Sequence, residues 1–159
     1  MKKVIVFSLV AIITMSSCQQ NTKEKNVFIE KQTSTEISFY TKDSIQVFGD
    51  VYEVDKIAPT ILLFHQARAN ARGEYGSIIP KLTKNGFNVI AIDQRSGGQL
   101  FGNYNRTVAN IPSNSYSYCD TYPDFEAALK YAVDYGFTGR KIVWGSSYSA
   151  ALVVQLAHE

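Results

Sequence analysis

One short stretch of the chain carries a residue that could do covalent chemistry, Gly145-Ser146-Ser147-Tyr148-Ser149. A serine on a sharp turn between a strand and a helix is presented for nucleophilic attack. The residues two before and two after it must be small, because they cross one another at the turn. Centred on Ser147, those positions are Gly145 and Ser149, and both fit. Centred on Ser146 they would be Trp144 and Tyr148, which are too large. Centred on Ser149 they would be Ser147 and Ala151, but Ser149 lies far enough past Gly145 to be inside the helix. Ser147 is therefore the candidate nucleophile, with Ser149 standing where the G-x-S-x-G pattern has its last glycine.

The other chemical groups are few. The two histidines are His65 and His158. On one helix, at 1.5 Å per residue, His158 lies roughly 15 Å from Ser147, too far to take its proton. Asp93 and Arg95 end an apolar run and read as fixing a turn. No set of His, Cys, Asp and Glu has the spacing of metal ligands, so neither metal nor cofactor is expected.

The elements that must position Ser147 follow from hydrophobic period and turn residues. Residues 36–40 and 45–52 alternate around Lys42-Asp43-Ser44, which predicts an antiparallel hairpin. Residues 60–65 and 87–93 are continuous apolar runs suited to strands buried on both faces. Between them a helix is expected, with Ser77 as its cap, Pro80 in its first turn and Asn85-Gly86 at its end. Residues 94–120 read as a long irregular segment rich in Gly, Asn, Ser and Tyr, and loops of that length are commonly functional. Thr121 with Asp124 suggests a capping box, opening a helix that carries Phe125, Ala128, Leu129 and Ala132 at helical spacing. Residues 140–144 then form a strand, and residues 152–157 are apolar on nearly every side, as in a helix buried against a sheet. After the hairpin, strand and helix alternate. This predicts an α/β fold, a mostly parallel sheet with helices on both faces and Ser147 at a strand's carboxyl end, where active sites of open sheets collect. No internal repeat or second domain boundary is visible.

The front end is a leader rather than part of the fold. Lys2 and Lys3 precede an apolar run too short to span a membrane, and Met15-Ser16-Ser17-Cys18 follows. Small residues before Cys18 resemble the lipobox of bacterial lipoproteins, although Met15 stands where Leu is commoner. That resemblance implies a signal peptide over residues 1–17, lipidation of Cys18, a polar tether over residues 18–34, and export to the cell envelope with the membrane as partner. The sequence holds 16 basic and 14 acidic residues, and a cut before Cys18 removes Lys2 and Lys3 and balances them. A neutral mature chain gives no electrostatic reason to expect nucleic acid. Cys119 then reads as a lone thiol, packed or partly buried.

Three blocks in order carry a wider resemblance: Leu62-Leu63-Phe64-His65-Gln66-Ala67, Ile92-Asp93-Gln94-Arg95-Ser96-Gly97-Gly98, and the elbow itself. Together they resemble the α/β-hydrolase family, and more narrowly its dienelactone-hydrolase-like esterases, over residues 44–159. The resemblance implies a serine hydrolase of small esters or other acyl compounds. It places the oxyanion donors at the backbone N–H of Ala67 and of Tyr148, with Gln66 as an alternative to Ala67 because it stands where glycine is usual. It makes His65 a brace of the oxyanion loop rather than a base. The family order is nucleophile, acid, histidine, and the chain stops at Glu159, one helix after the nucleophile. The expectation is therefore that residues 35–159 are the N-terminal part of a hydrolase domain and are inactive alone. The alternative is a non-catalytic, lipid-anchored binding or structural module that keeps the scaffold.

Overall fold

Among the described residues, two periodicities in the sequence become five strands and the helices that cover them. The computed structural model describes residues 33–112 and 116–158; the expected leader, Cys18 and all but the end of the expected tether lie outside them. Strands β1 (Thr35–Tyr40) and β2 (Gln46–Tyr52) form the antiparallel hairpin, turning at Ser44 with a φ of 64°. Strands β3 (Thr60–Phe64) and β4 (Asn88–Asp93) are buried at every residue, and β5 is Lys141–Gly145. The sheet order is β1-β2-β4-β3-β5. β2 joins β4 antiparallel, whereas β4, β3 and β5 run parallel. The sheet is thus mixed, a hairpin added to a parallel three-stranded part.

Alternation along the buried strands sends side chains to two faces. Leu62, Phe64, Ile90 and Ile92 pack with Phe125, Ala128, Ala132, Val153 and Leu156 on one side. Those partners belong to α4 (Tyr122–Asp134) and α5 (Tyr148–Leu156), and the Phe64 and Phe125 rings stack 4.0 Å apart. Ile61, Leu63, Val89 and Ala91 face the opposite way, onto Ala71 and Tyr75 of α1 (Ala71–Tyr75) and Ile79 of α2 (Ile79–Lys84). Helix α5 is less enclosed than its composition suggests: Val153 and Leu156 are buried but Val154 is 71% exposed.

Several local expectations need correction. α2 begins after Ile78, which makes no side-chain cap, so Ser77 does not cap it. Thr121 is helical and does not cap α4; its hydroxyl donates to the Tyr118 carbonyl. Asp124 serves Arg95 instead, accepting from its backbone N at 2.8 Å and from Nε at 2.9 Å. The long segment after β4 is not irregular throughout, since it contains α3 (Arg106–Asn110) and a 3-10 turn at Cys119–Thr121.

Buried charge gives that segment its shape. Asp93 accepts from the Ala71 backbone N at 2.8 Å and from Arg106 Nε at 2.7 Å, so its charged partner is Arg106. Arg106 also reaches the fully buried Asp50 of β2 at 2.8 Å, and Arg72 of α1 meets the same carboxylate at 2.7 Å and 2.9 Å. Arg95 spans Asp124 and Asp43 of the hairpin turn. Its guanidinium holds the Asp43 carboxyl well below the usual carboxylate range.

Candidate active site

The parallel pairing of β3 with β5 brings two strand ends side by side. Phe64 is in register with Gly145, and Ser146 N donates to the Phe64 carbonyl at 3.1 Å. The chain then reverses direction at Ser147, whose φ of 55° and ψ of −125° lie in a region that side chains rarely adopt. α5 starts at the next residue, Tyr148. A Cβ at Gly145 would collide with the Ser149 carbonyl and lie 2.7 Å from Ala150 N, so only glycine fits there. The turn has the steric form of a nucleophile elbow.

Ser149 does more than stay small. Its hydroxyl donates to the His65 carbonyl at 2.7 Å and accepts from Gln94 Nε2 at 2.8 Å, both buried. Gln94, the first residue after β4, is fully buried and faces all three strand ends. Its Oε1 accepts from His65 N at 3.2 Å, and its Nε2 donates to His65 O at 2.8 Å and lies 3.0 Å from Tyr148 Oη.

His65 is fully buried, and both ring nitrogens are engaged. Nδ1 donates to the Gln66 carbonyl at 2.7 Å, while Nε2 accepts from Gln94 N at 3.2 Å and Asn105 Nδ2 at 3.1 Å. Burial pushes its pKa below the usual 6.5, so the ring stays neutral. In the loop that follows, Gln66 N donates to Glu74 Oε2 at 2.9 Å. Neither Ala67 N nor Tyr148 N donates a hydrogen bond among the described residues. Of the two upstream candidates, Gln66 is occupied and Ala67 is open.

The segment after β4 pairs with this loop. Arg68 N donates to Ser96 O at 3.1 Å, Gly98 N to Ala69 O at 2.7 Å and Leu100 N to Arg68 O at 2.9 Å, with Arg68 at a φ of 65°. Two buried asparagines pin the pair. Asn70 caps α1 by accepting from Gly73 N at 2.7 Å, and its Nδ2 donates to Gly102 O at 2.9 Å. Asn105 caps α3 at Val108 N, 2.8 Å away, and donates to Gln94 O at 2.9 Å. On the other side Tyr118 stacks on Tyr148 with ring centroids 4.5 Å apart. Cys119 beside it is exposed, neither packed nor partly buried as expected, because its part of the 3-10 turn lies on the surface.

The structure therefore brings together Ser147, Tyr148, His65, Gln66 and Ala67 of the expected site, and leaves His158 exposed past the end of α5. Sequence reasoning missed Gln94, Glu74, Asn70 and Asn105. The asparagines had a readable signal, since Asn directly before a short helical stretch is a favoured cap. Among the described residues no group of His, Cys, Asp and Glu could hold a metal ion, and no helix is long and apolar enough to cross a membrane.

Solved structures share this architecture. An esterase of Pyrococcus furiosus matches with a TM-score of 0.61 at 22% identity, covering 77% of this chain and 46% of its own. A thermostable carboxyl esterase of Bacillus coagulans, solved with glycerol, gives 0.62 at 19% identity, covering 79% and 40%. Epoxide hydrolase A of Mycobacterium thermoresistibile gives 0.55 at 21% identity, covering 79% and 35%. The chain has the α/β-hydrolase fold. It spans less than half the length of these structures. No family sequence model and no characterised protein sequence matches it. The elbow is thus found on the α/β-hydrolase fold by its geometry, at identities that establish the fold alone.

Two outcomes follow from this geometry. The backbone at Ser147 stores strain on the order of 1–3 kcal/mol, which glycine would not incur. Ser147→Gly should therefore be about 1 kcal/mol more stable than Ser147→Ala in urea unfolding, although glycine usually destabilises. His65 is neutral in the fold but binds a proton readily when unfolded, so the unfolded state gains as pH falls. Stability should drop from about pH 6.5 toward pH 5 with a slope of up to about 1.4 kcal/mol per unit. His65→Gln should lack that slope, as read from urea midpoints across the range.

Proposed function

We propose that the intact protein is a serine hydrolase of small carboxylic esters, with Ser147 as nucleophile. The observation that carries this reading is Ser147 itself, held at a φ of 55° between β5 and α5 with its neighbours' Cβ atoms kept clear. The fold alone does not choose the reaction, since an esterase and an epoxide hydrolase share it. A serine at the elbow favours acyl transfer.

In the proposed reaction Ser147 Oγ attacks the ester carbonyl carbon, and charge gathers on the carbonyl oxygen. Ala67 N and Tyr148 N would donate to that oxygen, and the N-terminus of α5 adds its dipole. A fixed donor of this kind is worth about 2.7–4 kcal/mol in the transition state. The alcohol leaves with a proton, and water then releases the acyl group from Ser147. The base that takes the Ser147 proton is neither His65, whose ring nitrogens are engaged, nor His158. We assign it, with its acid partner, to residues outside this chain's 159. A structural neighbour solved with its substrate analogue and a carboxyl esterase solved with glycerol support a small-molecule substrate. Export and membrane anchoring through Cys18 belong to the same proposal.

A fluorophosphonate probe should label the intact protein, and Ser147→Ala should abolish both labelling and hydrolysis of short-chain aryl esters. A folded, intact protein that takes no label favours the binding or structural module instead. Cys18→Ser should move the protein from the membrane pellet to the soluble fraction; retention in the pellet counts against the anchor.

A further inference from the structure

The loop after β3 offers two successive backbone donors, Gln66 N and Ala67 N, and an oxyanion can use a donor only if its direction is fixed before the charge develops. One end of the loop is fixed by Gln94, which holds both His65 N and His65 O. The other end is fixed from α1. Glu74 Oε2 accepts from Gln66 N at 2.9 Å, and the Glu74 backbone N bonds Asn70 O at 3.1 Å, so the carboxylate is carried on a capped turn. Tyr75 beside it donates to the Phe64 carbonyl at 2.7 Å, which ties the same turn to the end of β3. Helix and loop are thus joined on both sides of His65.

We propose that Glu74 is a positioning residue for the oxyanion hole: by taking the Gln66 N–H it orients the next peptide and leaves Ala67 N as the upstream donor. This rests on the hydrolase reading of Ser147. The interaction uses a charged acceptor on a backbone N–H, which is stronger than a neutral bond and suited to fixing a peptide plane. The carboxylate does not touch the substrate. Its effect is felt only as negative charge grows on the carbonyl oxygen, so it should act on kcat rather than on KM.

The test uses three variants of the intact protein. Glu74→Ala should lower kcat for an aryl ester about 10-fold to 100-fold with KM changed less than about twofold, below the loss from removing a donor outright. Glu74→Gln keeps a carbonyl acceptor at the same reach and should recover most of the rate. Glu74→Asp keeps the charge but is one methylene shorter, and should stay slow. Fluorophosphonate labelling rates should follow the same order, and amide exchange at Gln66 should quicken in the Ala and Asp variants. A Glu74→Ala variant that turns over and labels like the wild type overturns the proposal while leaving Ser147's role intact. So does a Gln variant as slow as the Ala variant, which would make Glu74 merely structural. A wild type that takes no label overturns the hydrolase reading and this one with it. If the Ala variant fails to fold, the Gln and Asp pair decides by the same criterion.

Discussion

The buried carboxamide of Gln94 is the interaction on which the arrangement at the sheet's carboxyl edge depends. Parallel pairing ends at Phe64 and Gly145, and the backbone of His65 must leave the sheet while still inside the protein. An unsatisfied buried backbone group costs about 1–3 kcal/mol, so the residue cannot turn out of the sheet without partners. Gln94 provides an acceptor for His65 N and a donor for His65 O, and reaches Ser149 with the same amide nitrogen. One side chain after β4 thereby couples the loop after β3 to the helix after β5.

Charge secures the next layer out. Asp50, Asp93 and Asp124 lie inside the protein with Arg95 and Arg106, while Arg72 stays partly exposed, and each of the three arginines spans two elements. Buried pairs of this kind contribute little net stability over well-packed apolar groups, because desolvation offsets attraction, but losing one partner strands the other. Their main consequence is geometric. The segment from Gln94 to Asn110, built of residues that favour loops, is held in one path over the strand ends.

The sequence made the strands legible because their period and apolar content depend on the sheet alone: β3 and β4 are buried at every residue, as continuous apolar runs require. The elbow was legible for a similar reason, since Gly145 and Ser149 answer a local steric demand. What failed were local rules overruled by distant partners. Thr121 and Asp124 have the spacing of a capping box, but Arg95, far away in sequence, takes the carboxylate. Gln94 carries no local signal at all. Its role exists only once three strand ends are adjacent, and a glutamine after a strand reads as surface.

Ser149 has a consequence for how the protein melts. A glycine at that position would let the elbow shift on its own, but the hydroxyl binds a carbonyl of the neighbouring loop in a dry interior. Opening the elbow then exposes Gln94, His65 and Asn105 together, so fraying at the site is coupled to loss of the sheet's carboxyl edge. The start of α5 therefore belongs to the same cooperative unit as β3 and β4, and its bonded amides, Ser149 and Ala150, should exchange with solvent on the timescale of the core rather than of a surface turn.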